Sequence, residues 1–198
     1  VRRYNKFRST HLYIPSTLEN EMKYPRLYTS HQSSGNVEPK EQHDLLKEVE
    51  KRGMLVIQSA ISIEREMEQL VCQFYHPNDP YRFVLFKDLV IGTKYLSFDA
   101  KRHISMEILR IAGNEKREIK KLDDALRKVG HYRNAFAHGK VDIKKDEPFL
   151  KWFKTKQEVH LIDDNFWETL EDPFILAFEE LDRINQENID SNQSGDGQ

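Results

Sequence analysis

The chain has 198 residues, 38% of them hydrophobic, with 31 Lys and Arg against 33 Asp and Glu and a formal net charge of -2. This is the composition of one ordinary domain with extensions, and it excludes a membrane span, because the longest apolar run, Met54 to Ile63, is broken by Gln58 and Ser59 and falls short of the roughly 20 residues a spanning helix needs. The single Cys72 can form neither an internal disulfide nor a thiolate zinc cluster, and no signal-peptide pattern opens the chain, so a reducing cytoplasm is expected.

Residues 1–40 have neither helical nor strand periodicity and close on Ser33 to Asn36 and Pro39, which reads as an irregular N-terminal extension and linker. From Glu41 to Tyr75 the residues Leu46, Val49, Gly53, Val56, Ala60, Ile63, Met67, Leu70 and Phe74 recur at steps of three and four, the signature of one long amphipathic helix. Gly53 and Ala60 stand on that stripe, where missing bulk admits a close neighbour. His76 to Pro80 ends the helix. The apolar segment Tyr81 to Leu96 is predicted helical. Ser97 or Asp99 can cap a further helix that turns Ile104, Ile108 and Ile111 inward and stops at Gly113 and Asn114.

The following helix spans about Glu115 to His138, with Ile119, Leu122, Leu126, Val129, Arg133 and Phe136 as its apolar seats and a left-handed Gly139 expected to terminate it. Phe149 to Phe153 and Glu158 to Ile162 read as a small β-hairpin. Asp163 or Asp164 caps a short turn, and Asp172 before Pro173 opens a last helix that buries Phe174, Ala177, Phe178, Leu181 and Ile184. Four or five helices with short connections predict an all-α, up-and-down bundle over residues 41–186, with a hairpin before the closing helix. Residues 187–198 are expected to be a disordered acidic tail.

Charge is segregated along this layout: residues 101–156 carry 16 Lys and Arg against 8 Asp and Glu, and residues 157–198 carry 1 against 12. A basic middle attracts polyanions, although two solvated faces that neutralise each other fit the same pattern.

Two features of the fourth helix point to chemistry. Arg133 occupies an apolar seat, and an unpaired buried guanidinium costs several kcal/mol; Glu64, at the margin of the first helix, is its expected partner and Glu68 the next choice. Beside the stripe, Arg127, His131, Asn134 and His138 follow at steps of four, three and four and so share one face. His138 falls in the last turn, where the helix dipole favours a cation. A purely structural arginine pair that sets the register of two helices is the competing reading. No phosphate loop, Gly-x-Ser-x-Gly or dinucleotide fingerprint is present, and the eight histidines show no ligand spacing, so neither a metal nor a cofactor is expected. Cys72 reads as a small buried hydrophobe.

The run Arg133-Asn134-Ala135-Phe136-Ala137-His138-Gly139 resembles the Arg-x(4–6)-His signature of the HEPN superfamily (higher eukaryotes and prokaryotes nucleotide-binding domains), including the polar residue after the arginine. The likeness extends loosely over residues 41–186 and is nearest to mannitol-operon repressor-like and related bacterial members. It implies a metal-independent endoribonuclease of the toxin or phage-defence kind. Arg133 and His138 would carry the reaction on single-stranded RNA, with Asn134 orienting them and Glu64, His131 and Arg127 in support. It also implies a site completed by a homodimer, and an antitoxin or regulatory partner. Lys140 stands where members paired with nucleotidyltransferase antitoxins often have Tyr, which argues against that mode of control. Other members are silent nucleotide- or RNA-binding modules, and an interaction domain of a larger protein is a third reading.

Overall fold

The computed structural model describes residues 39–75, 79–92, 96–144, 147–153 and 157–194, all within one unit, Val37–Gln198. Residues 1–38, most of the expected extension, lie outside the described residues. Helix α1 (Pro39–Tyr75) begins two residues before the expected start, because Pro39 is preorganised for a first helical turn. Its stripe is buried from Val49 through Val56, Ala60, Ile63 and Met67 to Leu70, whereas Phe74 at the far end is exposed. Gly53 is where a neighbour comes closest: a Cβ there would stand 2.6 Å from the Phe136 ring.

Helix α2 (Pro80–Phe86) starts on a cap in which Asp79 accepts from the Arg82 amide at 3.0 Å, with Pro80 in the first turn. It passes into a π-helical turn, Lys87–Ile91, whose end is closed by the Gly92 amide donating to Lys87 O at 2.6 Å. The expected helix over 81–96 is therefore shorter, and it buries only Ile91; residues 93–95 lie outside the described residues.

Helix α3 (Phe98–Ile111) is capped by Ser97, whose hydroxyl accepts from the Ala100 amide at 3.2 Å. Its end is as the sequence predicts: Gly113 takes φ +84°, and the Asn114 amide returns to Leu109 O at 3.1 Å. The expected inward face needs correction. Ile108 is buried, but Ile111 is 71% exposed, and the buried side holds Phe98, Lys101, Arg102, Ser105, Met106 and Leu109. Two cations on that side rotate the helix away from its isoleucine row, because each finds at least one carboxylate on a neighbouring helix, Lys101 on α1 and Arg102 on the helix that follows.

Helix α4 (Lys116–His138) buries Ile119, Leu122, Leu126 and Val129 as expected, while Arg133 and Phe136 are half-buried. Gly139 ends it without the left-handed geometry predicted: φ is -82° and ψ 175°, ordinary extended backbone. Space explains the glycine, since a Cβ would lie 2.9 Å from Lys151 O. The chain goes directly into β1 (Lys140–Lys144), then β2 (Glu147–Phe153) and β3 (Gln157–Leu161), an antiparallel sheet in that order. The expected hairpin is β2 and β3, with Phe149 opposite Leu161 and Trp152 opposite Glu158; β1 is a third strand, pairing Val141 with Leu150.

Helix α5 (Asp164–Ser194) replaces the expected short turn and separate last helix. Asp163 caps it by accepting from the Phe166 amide at 2.7 Å. Pro173 lies inside rather than at the start. Buried Phe166, Trp167 and Leu170 before the proline and Phe174, Ala177 and Leu181 after it form one continuous packed side, which carries the helix across the missing amide donor. The helix also runs through residues 187–194, assigned above to a disordered tail. Helix α1 packs on α3, α4 and α5, α4 packs on α3 and α5 as well, and the sheet rests on α1 and α4. The architecture is thus mainly helical with a small three-stranded sheet. Among the described residues no helix is long and apolar enough to cross a membrane.

Candidate active site

The start of α3 and the second half of α4 enclose a cleft of about 750 Å³, with Trp152 of β2 at its edge. From α4 it receives Arg127, His131, Arg133, Asn134 and His138, and from α3 Asp99 and Arg102. Five of the six residues singled out from the sequence therefore meet in one place. Spacing is the reason for four of them: steps of four, three and four residues keep Arg127, His131, Asn134 and His138 on one side of a helix with 3.6 residues per turn. Arg133 joins from the margin of the apolar stripe, because the stripe reaches the cleft at the helix end.

The sixth, Glu64, is elsewhere. Its Oε1 accepts from Lys101 Nζ at 2.7 Å, and Glu68 Oε1 accepts from the same ammonium at 2.6 Å, so neither is the partner expected for Arg133. A buried lysine of α3 takes both carboxylates of the α1 margin.

A chain of ion pairs runs through Asp99, Arg102 and Arg127 of the cleft lining. Arg102, with a side chain only 4% exposed, donates from Nε to Asp99 Oδ1 at 2.9 Å and from Nη1 to Asp123 Oδ1. The other oxygen of Asp123 accepts from Arg127 Nε at 3.1 Å and Nη2 at 2.9 Å. One carboxylate thus pins two guanidiniums. Arg133 differs: among the described residues no carboxylate pairs with it, and its Nη1 donates to Asn134 Oδ1 at 3.4 Å. Among the described arginines lining the cleft, Arg102 and Arg127 have carboxylate partners and Arg133 does not.

The two histidines stand in different settings. His138 is exposed in the last turn of α4. His131 is held: its Nε2 lies 3.8 Å from Glu158 Oε2 on β3, its ring meets Trp152 edge-on at 5.1 Å, and Tyr132 packs against it at 5.5 Å. Trp152 in turn stacks on His160 at 4.7 Å, and His160 Nε2 is 3.9 Å from the same Glu158 oxygen. Burial pushes the Tyr132 phenol above its ordinary value, so it stays neutral beside the site.

Sequence reasoning missed Arg102, Asp99, Asp123 and Glu158. A signal existed for Arg102, since Phe98, Arg102, Ser105 and Leu109 step by four, three and four, and the arginine is the one charged member of that buried row. The i,i+4 spacing of Asp123 and Arg127 was likewise visible. Nothing local links Glu158 to His131, because strand pairing brings them together. Cys72 is fully buried, and burial pushes its thiol up to about 11, which keeps it from acting as a thiolate near neutral pH. Among the described residues no cluster of three or more His, Cys, Asp and Glu side chains is arranged to hold a metal.

Comparisons with protein-family models, with curated proteins and with solved structures give no match to the chain. The class that can be stated is a helical bundle carrying an arginine- and histidine-lined cleft.

Proposed function

We propose that the protein is a metal-independent endoribonuclease of the HEPN type, a toxin or phage-defence effector of the cytoplasm that cleaves single-stranded RNA in this cleft. One observation carries the reading: Arg133, without a carboxylate partner among the described residues, lines the same open cleft as His138. A phosphodiester seated on Arg133 gains charge-assisted hydrogen bonds that strengthen as charge grows on its oxygens during displacement. Asn134 orients the guanidinium through its Oδ1. His138, exposed at the cleft, takes the proton of the attacking 2'-hydroxyl. The nucleophile is the ribose oxygen, so a matched DNA strand survives. A homodimer and an antitoxin or regulatory partner belong to the same proposal.

A second reading, a non-catalytic nucleotide- or RNA-binding module, is favoured by the cleft's size, about 750 Å³, which falls within the roughly 300–1,000 Å³ of small-molecule sites. Incubation with single-stranded RNA in excess chelator separates the two. The unmodified protein should cleave and leave a cyclic phosphate, while Arg133→Ala and His138→Ala should not. Intact RNA together with Arg133-dependent binding of RNA or a nucleotide would establish the module instead.

A further inference from the structure

Cleavage by a neighbouring hydroxyl needs two proton transfers on opposite sides of the phosphorus: one group removes the 2'-hydroxyl proton, and another protonates the departing 5'-oxygen. His138 supplies one of these. We propose that His131 of the same chain supplies the other, as general acid, and that Glu158 is its positioning residue. The inference rests on the ribonuclease reading.

The geometry that leads here is linear. The phosphate seat is at Arg133 and Asn134, whose side chains are joined. His131 precedes Asn134 by three residues and His138 follows it by four, all on one helix face, so the two histidines stand on either side of the seat in order along the helix. At 1.5 Å of rise per residue their backbones are about 4.5 Å and about 6 Å from it along the axis. In-line displacement puts the entering and leaving oxygens on opposite sides of phosphorus, which matches that order.

His131 is also the histidine that is built in. Trp152 and Tyr132 meet its ring edge-on, and Glu158 Oε2 faces its Nε2 at 3.8 Å. When the imidazole is protonated the two form an ion pair, and a general acid must begin the step protonated. Other charged or titratable groups around the ring are His160, which reaches the same Glu158 oxygen, and Arg127, Arg133, Arg102, Asp99 and His138 along the cleft. In the step, His138 accepts the 2'-hydroxyl proton as the O2'–P bond forms. His131 gives its proton to O5' as the P–O5' bond breaks, and the products are a 2',3'-cyclic phosphate and a 5'-hydroxyl. One chain then holds both proton-transfer groups.

The test compares an RNA with uridine 3'-(4-nitrophenyl phosphate), whose leaving group departs without a proton. His131→Ala, and His131→Asn as a variant that retains polar bulk against Trp152, should each cleave RNA at least about 100-fold more slowly yet turn over the activated ester near the unmodified rate. Glu158→Gln should shift the alkaline limb of the kcat/KM profile on RNA to lower pH, a change that loss of packing alone does not produce. Equal losses on both substrates, undiminished RNA cleavage by both His131 variants, or an unmodified protein that cleaves only the ester would overturn the assignment. An unmoved alkaline limb would remove Glu158 from it. An unmodified protein that cleaves neither substrate brings down the ribonuclease reading itself, and the assignment with it.

Discussion

Lys101 Nζ stands 2.6 Å from Glu68 Oε1 and 2.7 Å from Glu64 Oε1, so a single ammonium of α3 serves two carboxylates of α1. Burial alone pushes Lys101 down, but the hydrogen bonds and charges of Glu64 and Glu68 overcome it and hold the group above its ordinary value. Because its proton affinity is higher in the folded state, this stabilisation is complete below the ordinary lysine range and is lost as pH climbs through the raised value. Lys101→Met should therefore cost about 3–5 kcal/mol in urea denaturation at pH 7, since it leaves two carboxylates facing each other with no cation. The triple change with Glu64→Gln and Glu68→Gln should recover most of it. A single Lys101→Met change costing under about 1 kcal/mol would mean that the bridge behaves like an exposed surface pair.

Gly53 and Phe136 define how closely α1 approaches the site helix. Gly53→Ala should gain up to about 1 kcal/mol of helix propensity, yet the new Cβ would stand 2.6 Å from the Phe136 ring. Overpacking of this kind costs about 1–3 kcal/mol, so the expected net effect is destabilising. Adding Phe136→Leu to Gly53→Ala should return part of the loss, and thermal melts of the two proteins decide the matter. A more stable Gly53→Ala single variant would show that α4 yields there at little cost.

Glu66 is buried on α1, where Asn185 Nδ2 donates to its Oε2 at 2.8 Å. Burial raises its pKa above 4.5; the Asn185 bond opposes this and the Asp182 charge adds to it. A raised folded-state value means that the carboxyl favours folding while protonated, and that this contribution is lost as pH rises through the raised value. Glu66→Gln keeps an oxygen for Asn185 and removes the charge. It should melt about 2–4 °C higher at pH 7 for each 1 kcal/mol relieved, and the gap should close in acid, below the ordinary carboxylate range. A lower melting point at pH 7, or a gap that persists in acid, would contradict the assignment.

What the sequence made legible was whatever a helix period alone decides. The stripe from Val49 to Leu70 and the shared face of Arg127, His131, Asn134 and His138 depend on nothing outside their own helix. Partnerships between elements were not legible. Glu64 lies at the margin of α1, and which cation meets it depends on the rotation of α3, which turns Lys101 and not Ile111 inward. Pro173 follows the local rule for a helix start, but packing on both sides of it made one helix of α5. Val141 and Ile143 alternate with polar neighbours in β1, too short a pattern to announce a third strand before β2 pairs with it.

Gly139 leaves no room for a side chain between the last residue of α4 and the first of β1, with Lys151 O close by. His138 is therefore coupled to the sheet almost as a spoke to a hub, without slack to absorb movement. A molecule that tilted the strands would carry that imidazole with it, and the strands also bear Glu158 and Trp152, which hold His131. Both flanks of the cleft thus answer to one small platform, and a controlling partner would have a handle there without entering the cleft.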